Sequence, residues 1–160
     1  MEELDFRGLL DHFAAGGFQK GEQVILGHFG TVQTLLSLIF ETPANVMNIQ
    51  MTVYSLSIHR SVDLVAGEWT VCHATSKIPR DLNSKTVLHH VSEGKLGLGQ
   101  IVVTLGIPNT RRLIEVGRDK HAFWRTYAIE GHSLYIEITE NFPRPPFEAI
   151  GWLQPEVGSG

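Results

Sequence analysis

Apolar residues recur at two different periods along this chain. Near the start they fall at helical spacing. Leu4, Leu9, Leu10 and Phe13 share one face, which predicts a helix over roughly 3–14, stopped by Gly16 and Gly17. Residues 31–41 (TVQTLLSLIFE) predict a second helix, ended by Thr42-Pro43 because a residue before proline is pushed out of the helical region. From residue 46 onward the period becomes two. Met47, Ile49, Met51 and Val53 alternate with Asn48, Gln50 and Thr52, and Ile58, Val62 and Leu64 alternate with His59, Ser61 and Asp63. A short Ala66-Gly67-Glu68 turn leads into 69–78 (WTVCHATSKI), the signature of an antiparallel hairpin. Asp81 is a candidate N-cap for a short helix near 82–92. Strand-like runs follow at 111–118, 122–130 and 133–142, the last two joined by a turn at Glu130-Gly131-His132. The sum is an α+β domain. Roughly six strands form an antiparallel sheet, and helices on one face enclose a small-molecule pocket. Residues 1–147 are expected to form this single domain, with 148–160 a C-terminal tail whose polar end (QPEVGSG) frays.

Alternation also assigns each strand residue to a face, and it places charges where apolar side chains lie. Arg60 shares parity with Ile58, Val62 and Leu64. Glu140 shares it with Leu134, Ile136, Ile138 and Phe142, while Glu137 points the other way with Tyr135 and Thr139. Arg118 falls with Ile114 and Val116, and Arg125 with Phe123, Tyr127 and Ile129. A buried, unpaired charge costs several kcal/mol on an order-of-magnitude view, so each must find a partner or water. Two readings are open. Arg60 pairs with Glu140 as a structural ion pair, or the strand ends leave the charges wet. Alternatively, the sheet and helices enclose a mostly apolar pocket for a small anion. In that pocket Arg60 grips a carboxylate and Glu140 accepts a hydrogen bond or takes a proton.

Composition narrows the classes. Of 160 residues, 42% are hydrophobic and 19% charged, a balance that excludes a disordered chain. The formal net charge of −4 leaves no basic footprint for nucleic acid. The single Cys72 has no internal disulfide partner, and zinc-ligand spacing is absent. The acidic start and the interrupted apolar runs match neither a signal peptide nor a membrane span, so a cytoplasmic protein with no membrane or nucleic-acid partner is expected. His89 and His90 are adjacent on the expected helix and point to different faces, a poor metal pair. His73 shares parity with Trp69 and Val71, as a core histidine would. Cys72, Ala74 and Ser76 make a strip of small side chains that leaves room for a ligand or for a packed helix.

The run IEVGRDKHAFWRTYAIEGHSLYIEITENFPRPPF (114–147) resembles the C-terminal part of the chorismate pyruvate-lyases, with an IEIGRD-type run, an Arg-rich strand, a Gly hairpin and an apolar strand ending in Glu. Upstream, HRSVDLVAGEWTVCHATSKIP (59–79) resembles that family's Arg-bearing hairpin, and GKLGLGQ (94–100) its G-K-x-P-L-G-R loop. Together these segments cover about 46–147. The resemblance implies a lyase that removes pyruvate from chorismate, leaves 4-hydroxybenzoate, and uses no cofactor. It implies that Arg60 binds the ring carboxylate and that Glu140 lies near the phenolic hydroxyl. Glu137 is a rival, because the alignment shifts by one residue there. It further implies that Leu98 and Gly99 bring backbone to the ligand carboxylate and that Val32 is an apolar lid residue. Two positions depart from the family pattern. Gln33 replaces a Thr after the lid residue, and Gly97 replaces a Pro. Chorismate carries two carboxylates, so Arg118 and Arg125 are candidates for the second, or they pair instead with Glu115 or Asp119.

Other function classes remain open. One is a noncatalytic metabolite-binding domain of the same fold, as in certain transcription regulators. The first 45 residues are short for the DNA-binding domain such proteins carry and show no basic recognition helix. The other is a relative recruited to a different ring reaction.

Overall fold

A computed structural model describes residues 6–156. The element order is α1 (Phe6–Gly16), α2 (Lys20–Leu26), α3 (Val32–Phe40), β1 (Ala44–Val53), β2 (Ser57–Ala66), β3 (Trp69–Pro79), α4 (Lys85–Glu93), α5 (Leu98–Leu105), β4 (Asn109–Arg118), β5 (Ala122–Gly131), β6 (Leu134–Pro143) and α6 (Arg144–Ala149). All strands pair antiparallel in one open sheet of order β1-β2-β3-β6-β5-β4. The expected α+β class and six-stranded antiparallel sheet are therefore present. The first residues of the expected 3–14 helix lie outside the described residues. Among those described, no helix is long and apolar enough to cross a membrane.

The inner face of the sheet carries the core. On β6 burial alternates without a break, with Leu134, Ile136, Ile138, Glu140 and Phe142 all buried. Phe123 and Phe142 stack at 5.0 Å, and Phe147 of α6 closes on them edge-on. Ile25, Leu26, Leu36, Val87, Val91, Ile101 and Val102 come down from the helices onto this layer.

Three bulges change which residues face inward. In β1 the register skips between Met47 and Gln50, where Asn48 has φ 53°, so Val46 packs on the core while Met47 is 48% exposed. In β3 both Val71 and Cys72 are fully buried, because the pairing steps from Leu64–Cys72 to Val65–Thr70. That shift turns His73 outward, where it meets Asp63 at 2.6 Å instead of sitting in the core. In β4 the pairing passes from Leu113–Tyr127 to Glu115–Thr126, so Leu113 and Val116, of opposite parity, are both buried. A bulge adds one residue to one strand and so reverses parity beyond it.

The helix ends follow their caps. α4 begins at Ser84, whose hydroxyl accepts from the Val87 amide at 3.2 Å, and not at Asp81. It ends at Gly94 in the left-handed conformation that glycine adopts without penalty. α2 and α5 are helices where no helix was expected. α2 is short, and its Glu22 reaches back to the Gln19 amide at 2.7 Å. Part of the GKLGLGQ segment that resembles a loop is helical, with Gly97 as the N-cap and Gly99 in the first turn of α5, whose apolar side is Leu98, Ile101 and Val102. The hairpin turn between β5 and β6 sits one residue later than expected, at His132-Ser133.

The segment after 147 does not fray over its described part. Leu153 is buried, Trp152 donates to the Gly21 carbonyl at 3.1 Å, and the amide of Gln154 donates to Gln19 at 2.9 Å.

Candidate functional site

Two cross-strand rows run across the inner face, and their Arg60, Ser76, Ile138, Tyr127, Val62, Ala74 and Glu140 form the floor of a cavity. The first runs Arg60 (β2), Ser76 (β3), Ile138 (β6), Tyr127 (β5) and Leu113 (β4). The second runs Val62, Ala74, Glu140, Arg125 and Val116 through the same strands. The small side chains of Ala74 and Ser76 leave a hollow in the middle of the sheet. Thr31, Val32 and Gln33 at the start of α3, and Gly97 to Gln100 at the start of α5, wall it from above. Of the expected site residues, Arg60, Glu140, Val32, Leu98 and Gly99 line this one cavity.

Arg60 is the most unusual group in it. The residue is only 3% exposed, yet Nε and Nη1 have no hydrogen-bond partner, and Nη2 alone donates, to the Leu96 carbonyl at 2.5 Å. Burial holds its pKa below that of an ordinary arginine. A buried polar group without a partner costs stability, so two unsatisfied donors on one guanidinium call for an acceptor from elsewhere. Leu98 and Gly99 head α5, where no earlier carbonyl of the helix reaches their amides, so the helix start adds partial positive charge on the same side.

Glu140 does not pair with Arg60. Its partner is Arg125, directly opposite on β5, whose Nε donates to Oε1 at 2.7 Å. The Tyr127 hydroxyl donates to Oε2 at 3.3 Å. Both partners are buried, so the carboxylate is fixed in orientation while remaining on the cavity wall. Burial is the largest influence and works against the Arg125 charge, but Glu140, Tyr127 and Cys72 together hold the guanidinium above its ordinary pKa. Burial, then the neighbouring Glu140, pushes the Tyr127 hydroxyl up, which keeps it a proton donor. Arg125 also donates through Nη1 to the carbonyls of Ile25, Leu26 and His28, tying the sheet to the end of α2.

No protein-family model matches the chain, and no curated protein is similar to it.

Arg118 and Arg125, expected as contacts to a second carboxylate, do not line the cavity. Arg125 stands behind Glu140. Arg118 donates to Glu22 at 3.0 Å and meets Glu156, and Arg144 donates to the other oxygen of Glu22 at 2.7 Å. This buried cluster joins α2, β4, α6 and the tail. Neither arginine forms a hydrogen bond or close ion pair with Glu115 or Asp119. Glu137, the rival of Glu140, lies on the outer face beside Lys77 and Thr139, as parity indicated. Gln33, one of the two departures from the family pattern, donates to the Ala44 carbonyl at 2.7 Å and so fastens α3 to β1.

Among the lining residues that escaped the sequence reading, Tyr127 and Arg111 carry the most chemistry. Tyr127 was seen only as an apolar neighbour of Arg125. Arg111 was missed because the β4 bulge puts it on the inner face with Leu113, against the parity of Val116. It lies close to Gly99, where a Cβ would be 3.4 Å from its Nη2.

Proposed function

We propose that the protein is a cofactor-independent lyase that eliminates pyruvate from chorismate to give 4-hydroxybenzoate. The single observation that carries this is Arg60, a residue with two buried, unpartnered donors that lines an apolar cavity also lined by a fixed carboxylate. The motif resemblance over 46–147 supplies the substrate.

In this reading the ring carboxylate accepts from one of the two free donors of Arg60 and from the α5 amides beside it, a charge-assisted arrangement. Val46, Val62, Leu64, Val32 and Ile138 surround the ring. Glu140 faces the C4 end of the ring and accepts the hydrogen bond of the C4 hydroxyl. The reaction removes the proton on C4 and breaks the C3–O bond, whose electron pair leaves on the enolpyruvyl oxygen. The new double bond completes the aromatic ring. The released enolate takes one proton on its methylene carbon and becomes pyruvate, so no oxidant or reductant is needed. Glu140 is the one carboxylate lining the cavity among the described residues, and it takes the C4 proton. Orientation of the substrate and exclusion of water are the remaining contributions of the protein.

The test is incubation of purified protein with chorismate, following 4-hydroxybenzoate by chromatography. Product is expected, and Arg60→Ala should lower turnover by about two orders of magnitude, comparable to losing one charge-stabilising donor. No product, under conditions where a control lyase works, refutes the reading. Tight binding of 4-hydroxybenzoate without turnover would instead mark a noncatalytic metabolite-binding domain.

A further inference from the structure

Arg111 is a second cation in the cavity that the protein itself does not neutralise. Neighbouring arginines are committed: Arg112 to Glu130, Arg118 to Glu22, Arg125 to Glu140 and Arg144 to Glu22. Arg111 forms no ion pair among the described residues. It donates through Nη1 to the Gly30 carbonyl at 3.0 Å, and its guanidinium lies 5.8 Å from the centre of the Tyr127 ring. Arg125 lies against the same ring at 4.8 Å. Tyr127 therefore stands between one arginine spent on Glu140 and one still free.

We propose that Arg111 binds a second carboxylate of the ligand, so that the cavity selects an extended dianion over a monoanion. This rests on the lyase reading for the identity of the ligand. Arg60 and Arg111 lie on β2 and β4, four strand spacings apart, roughly 19 Å between backbones at about 4.8 Å per spacing. Arg60 stands beside Ser76 of β3, and Arg111 leans toward Tyr127 of β5, so the two guanidiniums approach the cavity from opposite ends. A ligand that satisfies both must carry its acidic groups on opposite ends, one on the ring and one on a side arm. Vicinal diacids and simple benzoates leave one arginine unmatched. The enolpyruvyl ether of chorismate, meta to the ring carboxylate, has the required form. Arg111 is thus a specificity residue, and after elimination the product retains only the Arg60 end of the site.

The probes are 4-hydroxybenzoate, a monoanion, and 3-(carboxymethoxy)benzoate, a stable diacid with an ether-linked carboxylate meta to the first. Titration calorimetry on the full chain reads both without turnover. Wild type should bind the diacid more tightly. Arg111→Gln keeps a donor for the Gly30 carbonyl but removes the charge. It should weaken the diacid by roughly 10- to 100-fold, the range for a charge-assisted hydrogen bond, and leave 4-hydroxybenzoate within about twofold. Arg111→Lys should restore most of the diacid affinity. Equal loss of both ligands in Arg111→Gln would overturn the proposal and make Arg111 a latch for the Gly30 loop. No loss of either, or no preference for the diacid in wild type, overturns it as well. Charge-dependent selection of the diacid in a protein that fails to turn over chorismate would refute the lyase reading while leaving the dianion site standing.

Discussion

Replacing Arg60 by methionine should make the protein more stable and unable to bind its anion. Two donors of Arg60, Nε and Nη1, are buried without partners. Each unsatisfied buried group costs about 1–3 kcal/mol, and the one bond that is made, to the Leu96 carbonyl, returns about 1 kcal/mol. Methionine fills similar space with an apolar chain. The unliganded protein should therefore gain roughly 1–5 kcal/mol, and about 2–4 °C in Tm per kcal/mol at this chain length. Arg125→Met is the control with the opposite sign. It strands Glu140 in the core and leaves the carbonyls of Ile25, Leu26 and His28 without their donor. Breaking a buried pair from one side costs about 3–5 kcal/mol.

Thermal unfolding followed by circular dichroism, with and without 4-hydroxybenzoate, reads both effects. Wild type should gain about 2.7 kcal/mol from ligand at a hundred times its Kd. Arg60→Met should start higher and not respond to ligand. The reasoning fails if Arg60→Met loses stability on the scale of Arg125→Met, because Arg60 would then be a structural member with partners, not a group held ready for a ligand.

Three further outcomes are expected. Glu140→Gln should lower turnover far more than Glu137→Gln, since only Glu140 lines the cavity; equal effects in a steady-state assay would contradict the facial assignment. Asn83→Ala should cost about 2–3 kcal/mol in denaturant unfolding, because Asn83 donates to the Pro79 and Tyr135 carbonyls and accepts from the Tyr135 amide; a change under about 0.5 kcal/mol would show those bonds to be replaceable by water. Burial and then Arg125 lower the His28 pKa from its ordinary 6.5, with Arg111 adding to this and Glu140 opposing it. The unfolded chain then takes up the proton first as pH falls through 6.5, so stability drops until the folded-state pKa is passed. Subtracting the pH profile of His28→Gln from that of wild type should isolate stability that rises with pH in that window, and a flat difference would sink the assignment.

Parity was a sound guide wherever a strand ran without a bulge on its inner face. On β2 it placed Arg60 inward, and on β6 it put Glu140 inward and Glu137 outward, both as found. It failed where one residue was inserted. The β4 bulge hid Arg111, the β3 bulge turned His73 outward, and the β1 bulge exposed Met47. A bulge leaves little mark in a sequence, because its extra residue needs only a tolerable backbone conformation and no special side chain. The same limit applied to α5. Gly97 and Gly99 read as loop residues, yet the tertiary burial of Leu98, Ile101 and Val102 outweighs the low helix propensity of glycine. Partner identity was equally hidden, since Glu22 is distant in sequence from both arginines it holds.

The shape of the site follows from one cavity carboxylate that Arg125 alone holds, leaving Arg60 and Arg111 without one. Arg125 is directly opposite Glu140 on the adjacent strand, so it takes the carboxylate at the lowest cost in side-chain ordering. Arg60 is one row away and two strands over. Between it and Glu140 lie only Ala74 and Ser76, too short to reach either charge. The same small residues that leave Arg60 unpaired therefore open the space an anion needs to reach it. Enlarging that strip should couple the two effects. Ala74→Leu would fill the hollow with apolar volume and exclude the ligand while leaving the Arg125–Glu140 bond at its own end of the row. Retained 4-hydroxybenzoate affinity in Ala74→Leu would show that the anion binds somewhere other than over this strip.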